Sequence, residues 1–410
     1  MRIAVVGRGT AGSLAAAIVA RRLPAHELHH IYDSRIPIIG VGEGTLPGLV
    51  QHLGEATGLD EAAVEKRLHA TRKYGVRFEG WGRTHDRFVH DFADGRLYGY
   101  HLSADTLVEL LQERTRTTAR TDARVTQIRR AGGQAEVRYD DRPAERFDLV
   151  FDARGYPKEL DGSEHAEIDF IPTNAAVVRR GPALRIDAGR TYTRAVARPE
   201  GWIFVIPLRS HTSYGYVFNA GISDTRQVEA DFDAFLQQEG VAAWRQRSVI
   251  RFPNYIRRCV YDGCIARIGN SAGFMEPLEA TALGLIQVQI DVILKAAQEG
   301  TPEEINRILV RFAWQFGVFI SWHYSQGSKY DTPFWRYAKQ EAWPRHVRRR
   351  ERPVVDADTE AGELARRIGL AAECLRNGGR RPAVEPYALF YLSSFMRMTH
   401  GLGIGERGGE

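Results

Sequence analysis

The chain has 410 residues, 43% of them apolar, a formal net charge of +5 and three cysteines. That length and apolar content can bury a large core, which suits one two-lobed enzyme or two closely packed domains better than a string of modules. The modest charge, with no recognition motif or aromatic platform, speaks against nucleic acid, and the cysteines, lacking Cys-x-x-Cys spacing, read as idle thiols without a metal.

The opening MRIAVVGRGTAGSLAAAIVA has a basic start and small residues, but glycines and Arg8 interrupt its apolar stretch. No segment approaches the roughly 20 apolar residues that cross a bilayer, so a cytoplasmic protein is expected, with no membrane partner. Residues 2–6 (RIAVV) form a short apolar β-run, GRGTAG follows, and 13–22 have helical composition. A second strand over 28–32 ends at Asp33. Gly7, Gly9 and Gly12 therefore spell G-x-G-x-x-G between a strand and a helix, with Thr10 and Ala11 inside the motif. In that context the first glycine makes the turn, the second lets backbone approach a pyrophosphate and the third lets helix and strand pack, while Asp33 accepts ribose hydroxyls. The unit predicts dinucleotide binding and by itself leaves NAD and FAD open.

A Gly- and Pro-rich loop over 36–47 leads to helices near 47–57 and 60–71 and a strand-like alternation over 74–81. Ser103, a favoured N-cap, precedes a helix over 104–118. Strands over 123–129, 135–139 and 147–151 read as a β-meander inserted in the nucleotide-binding lobe. Residues 165–255 alternate apolar and polar and predict a mixed sheet over a substrate site. The chain returns to the first lobe at 264–298 as a strand, a tight loop and a long apolar helix, and 302–400 are mostly helical. The predicted fold class is α/β: a Rossmann-like, doubly wound lobe from 1–160 and 260–300, a mixed β-sheet substrate domain over 161–259 and a helical region over 301–410. The arginine run over 345–352 (RHVRRRER) reads as a solvated connecting segment, with a docking patch for an acidic partner or peptide as the sharper alternative.

Six ordered segments resemble the flavin-dependent tryptophan halogenases: GVGEGTLPGL (40–49), RKYGVRFEGW (72–81), GWIFVIP (201–207), GYVF (215–218), IGNSAGFMEPLEATALGLIQ (268–287) and HYSQGSKYDTPFW (323–335). The resemblance implies FAD, used in reduced form with O2. It places Gly40, Val41, Gly42 and Glu43, with Gly269, Asn270, Thr281 and Ala282, against the flavin, where Gly-rich turns approach a flat ring. It also implies that Lys73 is the active-site lysine between flavin and substrate chambers, and Glu279 the glutamate that takes the ring proton. Glu276 is a rival carboxylate, read here as one stabilised by a helix N-terminus. Trp202, Phe204 and Pro207 match the wall between the chambers. Thr332 before Pro333 reads as an N-cap with proline at the first helical position.

Where the halogenases have Ser-Thr-Gly after the glutamate, this chain has Ala280, Thr281 and Ala282, which removes a hydroxyl and a glycine's backbone freedom beside the halide. Phe204 replaces one indole of the wall. Only 18 residues separate Trp81 from Tyr100, where tryptophan halogenases carry a long insert over the free amino acid. These departures resemble a halogenase-like flavin monooxygenase that hydroxylates a peptide-bound tryptophan while the cysteine tryptophylquinone of quinohaemoprotein amine dehydrogenase is built. The expectation is therefore a monooxygenase acting on an indole in a peptide or small protein through a flavin C4a-hydroperoxide, with a separate flavin reductase as partner. Halogenation of tryptophan or another indole is the alternative, and a flavin-binding scaffold without turnover is the third.

Overall fold

The computed structural model describes residues 1–38, 43–82, 84–184, 189–241, 244–348 and 392–402. Gly40, Val41, Gly42 and the distal part of the arginine run lie outside the described residues.

Strand Arg2–Val6 sits at the centre of five parallel strands, ordered Ile265–Arg267, Leu149–Asp152, Arg2–Val6, Glu27–Tyr32 and Ala119–Asp122. Its side chains divide by face, as strand alternation requires. Ile3 and Val5 join the main core with helix Thr10–Arg22, while Ala4 and Val6 join a second cluster with Val137 and Phe147. Burial on both faces explains why this strand reads as an unbroken apolar run. The strand expected over 147–151 divides. Glu145–Phe147 closes an antiparallel sheet with Gln134–Tyr139 and Val125–Ala131, and Leu149–Asp152 pairs in parallel with Arg2–Val6. Asp148 marks the change of sheet, its carboxylate accepting the Arg2 N–H at 2.7 Å.

Among the described residues a third sheet holds nine strands. Their order is Arg245–Arg251, Ala175–Gly181, Thr212–Phe218, Gly201–Pro207, Thr191–Arg198, Thr71–Glu79, Gly99–Leu102 and Glu43–Gly44, with Arg87–Asp91 also pairing Thr71–Glu79. The strand expected over 74–81 thus begins at Thr71, encloses Lys73, and runs parallel to Thr191–Arg198. Strands within 43–102 complete the sheet formed by 175–251, so the span 1–160 is shared among three sheets. A strand's own pattern shows which face is buried and is silent on which chain segment takes up its hydrogen bonds.

Gly201–Pro207 shows that alternation plainly. Ile203 and Val205 pack under Val228, Phe232 and Phe235 of helix Thr225–Gln238, and Trp202, Phe204 and Ile206 enter the main core. Burial of each such apolar side chain contributes roughly 1.5–3 kcal/mol.

Two long helices, Thr281–Glu299 and Pro302–His323, close over the core. The second begins with Thr301, whose hydroxyl accepts the Glu304 N–H at 3.3 Å, then Pro302 and two acids in the first turn. Its far end delivers His323 and Tyr324, both fully buried. As expected, Thr332 caps the short helix Pro333–Tyr337, accepting the Trp335 N–H at 3.5 Å. Among the described residues no helix is long and apolar enough to cross a membrane.

Candidate active site

Gly7 takes φ 114°, a conformation L side chains rarely adopt, and a Cβ there would press on the Ala153 carbonyl. A Cβ on Gly12 would be driven into the Gly7 carbonyl, so helix and strand pack through its absence. Gly9 differs, because a Cβ there meets nothing within 4 Å. It opens onto space at the N-terminus of helix Thr10–Arg22, which has no side-chain cap and no acid in its first turn. Uncapped N–H groups facing open space form a cradle for phosphate, and the turn therefore fits the pyrophosphate of a dinucleotide.

The other expected cofactor contacts are less simple. A Cβ on Gly269 would strike Ala11 of the same turn, and the Gly269 N–H is taken by Gln289 Oε1 at 2.8 Å, so that amide is not presented to a ligand. The Asn270 carbonyl accepts the Tyr255 hydroxyl. Asp33 holds Arg35, whose Nε and Nη2 donate at 2.7 and 2.9 Å, so a ribose would share that carboxylate with the arginine. Burial pushes the Glu43 carboxyl up to about 7.

Lys73 is fully buried and its Nζ has no hydrogen-bond partner. Burial pulls the ammonium down to about 8, opposed by the charge of Glu279. A Cβ built on Gly44 would lie 3.2 Å from Ala280 Cβ, 3.3 Å from Lys73 Nζ and 3.4 Å from Thr193 Oγ1, so the bare glycine leaves a gap where these three groups meet. The Phe92 ring centroid is 5.2 Å from Nζ. Thr193 Oγ1 pairs with His101 Nε2 at 2.8 Å, and burial together with the charge of Lys73 holds His101 well below its ordinary range.

Oε1 of Glu279 lies 2.8 Å from His90 Nδ1 and 3.0 Å from His323 Nε2, while Oε2 is buried with no partner. Burial alone would raise this carboxyl; the two imidazoles overcome it and hold the group well below the usual carboxylate range. Glu279 and Ala280 take φ 65° and 56°, a left-handed pair that costs about 1–3 kcal/mol each, placed where the carboxylate enters the chamber. Thr281 and Ala282 open a regular right-handed helix. The expected penalty of alanine for glycine at Ala282 is therefore absent, because that position needs no special backbone and its N–H remains.

Glu276 is not a helix N-terminal carboxylate, since the helix begins only at Thr281. It is fully buried, and it accepts from the Tyr324 hydroxyl at 2.8 and 2.9 Å and from the Thr173 hydroxyl. Burial pushes it up to about 7 against those donors. Nearby, Tyr324 meets Trp81, and Trp81 meets Trp202, with centroids 5.2 and 6.2 Å apart. Phe204 lies 6.3 Å from Trp202 and over Gly215 of the facing strand, whose missing side chain admits the ring. The Pro207 carbonyl accepts Thr71 Oγ1 at 3.2 Å.

Lys73 and Glu279 thus lie buried within reach of each other's charge, with Ala280 beside the lysine, while Thr281 is buried and Ala282 is exposed. The sequence reading missed His90, His101, Thr173, His323 and Tyr324. A histidine and tyrosine closing an otherwise apolar helical run were a signal for the last two; His90 carried none.

The model of the tryptophan halogenase family matches residues 2–98 and 94–405. This chain belongs to the tryptophan halogenase family. Two curated members match it over most of their length. The 7-chloro-L-tryptophan 6-halogenase KtzR of Kutzneria sp. (strain 744) is 24% identical over 436 residues, covering 83% of this chain and 82% of that protein. Tryptophan 7-halogenase RebH of Lentzea aerocolonigenes is 23% identical over 419 residues, covering 83% and 79%. A flavin-dependent halogenase from Xanthomonas campestris superposes with a TM-score of 0.80 at 23% identity, covering 98% of this chain and 89% of that one. At that identity the likeness establishes the fold, which is the α/β architecture read from the sequence. As a member of the family this chain takes reduced FAD with O2, and the open cradle at Gly9 fits the cofactor's pyrophosphate.

Proposed function

We propose that this protein is an FAD-dependent halogenase that places chlorine or bromine on the indole ring of free tryptophan or a similar small indole, fed by a separate flavin reductase. The observation that carries this reading is the burial, within reach of each other's charge, of the Lys73 ammonium and the Glu279 carboxylate, with Nζ and Oε2 both left without a hydrogen-bond partner. Bound and reduced, FAD supplies with O2 the oxidising equivalents that convert halide to an electrophile. Lys73 Nζ would then donate a hydrogen bond to the oxygen of hypohalous acid; as the carbon–halogen bond forms the oxygen–halogen bond breaks, and that oxygen leaves as hydroxide and becomes water on taking up a proton. Oε2 of Glu279 faces the cationic ring, stabilises it and accepts the proton lost on substitution. Gly9 and the uncapped helix behind it hold the pyrophosphate, Glu43, Thr281 and Ala282 border the flavin, and Trp202 and Phe204 wall the substrate side.

Hydroxylation of a peptide-bound tryptophan is not carried forward. It rested on three departures, and one loses its force because Ala282 keeps its amide in ordinary helix geometry. The curated relatives, matched over about four-fifths of their length, are named as halogenases of tryptophan. Their names support halogenation, and free tryptophan as the first substrate to try. Lys73→Ala and Glu279→Gln, assayed for halide-dependent product with tryptophan, are expected each to lose roughly 100-fold or more in turnover with FAD binding intact. Full turnover in either variant would overturn that residue's assignment.

A further inference from the structure

His323 is the last residue of the helix Pro302–His323, where the negative end of the helix dipole favours a cation. Both of its ring nitrogens face oxygen: Nδ1 lies 2.8 Å from the Phe319 carbonyl and Nε2 lies 3.0 Å from Glu279 Oε1. A backbone carbonyl only accepts, so Nδ1 carries a hydrogen. An ionised carboxylate also only accepts, so with Glu279 ionised Nε2 carries one as well.

We propose that His323 is a positioning residue held as an imidazolium, whose Nε2–H keeps Glu279 ionised and leaves Oε2 as the free oxygen presented to the substrate ring. This rests on the halogenase reading for its purpose, though not for its proton count. The same segment supplies a control. Glu276 and Glu279 are both fully buried, three residues apart, yet the first, held by two hydroxyls, is pushed up to about 7 and the second, held by two imidazoles, is held far down. Burial is common to both, so the donors decide. The charged and titratable groups around Glu279 are Lys73 from strand Thr71–Glu79, His90 from strand Arg87–Asp91, His323 from its helix and Glu276 from its own segment. His101 faces Lys73 from strand Gly99–Leu102. The walls of the His323 ring are Phe78 and Phe319, with centroids 5.2 and 4.9 Å away, which pack the imidazole without offering it a second acceptor.

The test uses the full-length, FAD-loaded protein and two readouts. Infrared difference spectra across pH, with Glu279→Gln to assign the band, report whether Glu279 carries a proton. The pH profile of halide-dependent turnover reports whether that proton matters. The wild type is expected to show no protonated Glu279 band near neutrality. His323→Leu raises the pH at which the band appears by about two units and moves the acid limb of turnover up with it, and His323→Gln, which keeps a donor, recovers much of both. An unchanged band and an unchanged acid limb in His323→Leu, with turnover merely lowered, would overturn the proposal. Should His323→Leu fail to fold, nitrogen NMR of the wild-type histidine decides: two protonated ring nitrogens support the proposal, and one protonated nitrogen refutes it. Both spectroscopic readouts are taken on unreacted protein. A lack of halogenated product would therefore sink the halogenase reading while leaving the proton count measured.

Discussion

In the turn from Gly7 to Gly12 the groups that meet are neighbours in sequence, apart from the Ala153 carbonyl against Gly7, and glycine's missing side chain does the work at each point. In the Glu279 chamber the hydrogen-bonded pairs are separated by 44 residues for His323, 48 for Tyr324 to Glu276, 103 for Thr173 to Glu276 and 189 for His90. One region is specified locally and tolerates few changes of size; the other is assembled by the fold and depends on which donor reaches which carboxylate. The difference separates substitutions that break folding from those that alter only a proton or a ligand.

The sharpest test lies within the turn itself. Gly12→Ala places a methyl against the Gly7 carbonyl and is expected to destabilise the protein by on the order of 3 kcal/mol, read by urea unfolding, with FAD binding lost as well. Gly9→Ala adds the same methyl to open space, so stability should stay within about 1 kcal/mol while FAD affinity, read by flavin fluorescence, falls roughly 10- to 100-fold. Equal damage to folding from both would break the distinction between a packing glycine and a cradle glycine.

A smaller effect probes the chamber. The Glu276 carboxyl is raised from its ordinary 4.5 to about 7, so the folded state binds a proton that the unfolded state has released across that window. Its contribution to stability is therefore full below about 4.5 and is lost as pH rises through 7. Glu276→Gln should remove that slope, a difference of up to roughly 3 kcal/mol at alkaline pH, in urea midpoints taken from pH 4.5 to 8. Glu43, raised in the same direction, keeps its own slope in the variant. An unaltered pH dependence would mean that the Tyr324 and Thr173 hydroxyls fully offset the burial of Glu276.

The same contrast explains what was legible in the sequence. Strand Arg2–Val6, the glycine turn and helix Thr10–Arg22 are encoded by adjacent residues; the structure places strand and turn as read and starts the helix at Thr10, ahead of the expected Ser13. Lys73 and Glu279 were named by family resemblance, and the fold brings their segments together. The partners of Glu279 were hidden because a hydrogen bond across 189 residues leaves no local mark. Glu276 was misread for a related reason, since the left-handed pair Glu279–Ala280 delays the helix and a composition-based start falls too early. The segment 145–152 misled because a single residue, Asp148, separates two strands of different sheets, and an apolar run does not show where its partner changes.

The central claim, that the Lys73–Glu279 chamber halogenates an indole, is tested most directly by reducing the FAD-loaded protein, admitting O2 with bromide, and analysing free tryptophan and tryptophan-containing peptides by mass spectrometry. The account predicts a bromine isotope doublet on free tryptophan that disappears when bromide is left out. Oxygen added to a peptide indole, with or without bromide, would contradict it.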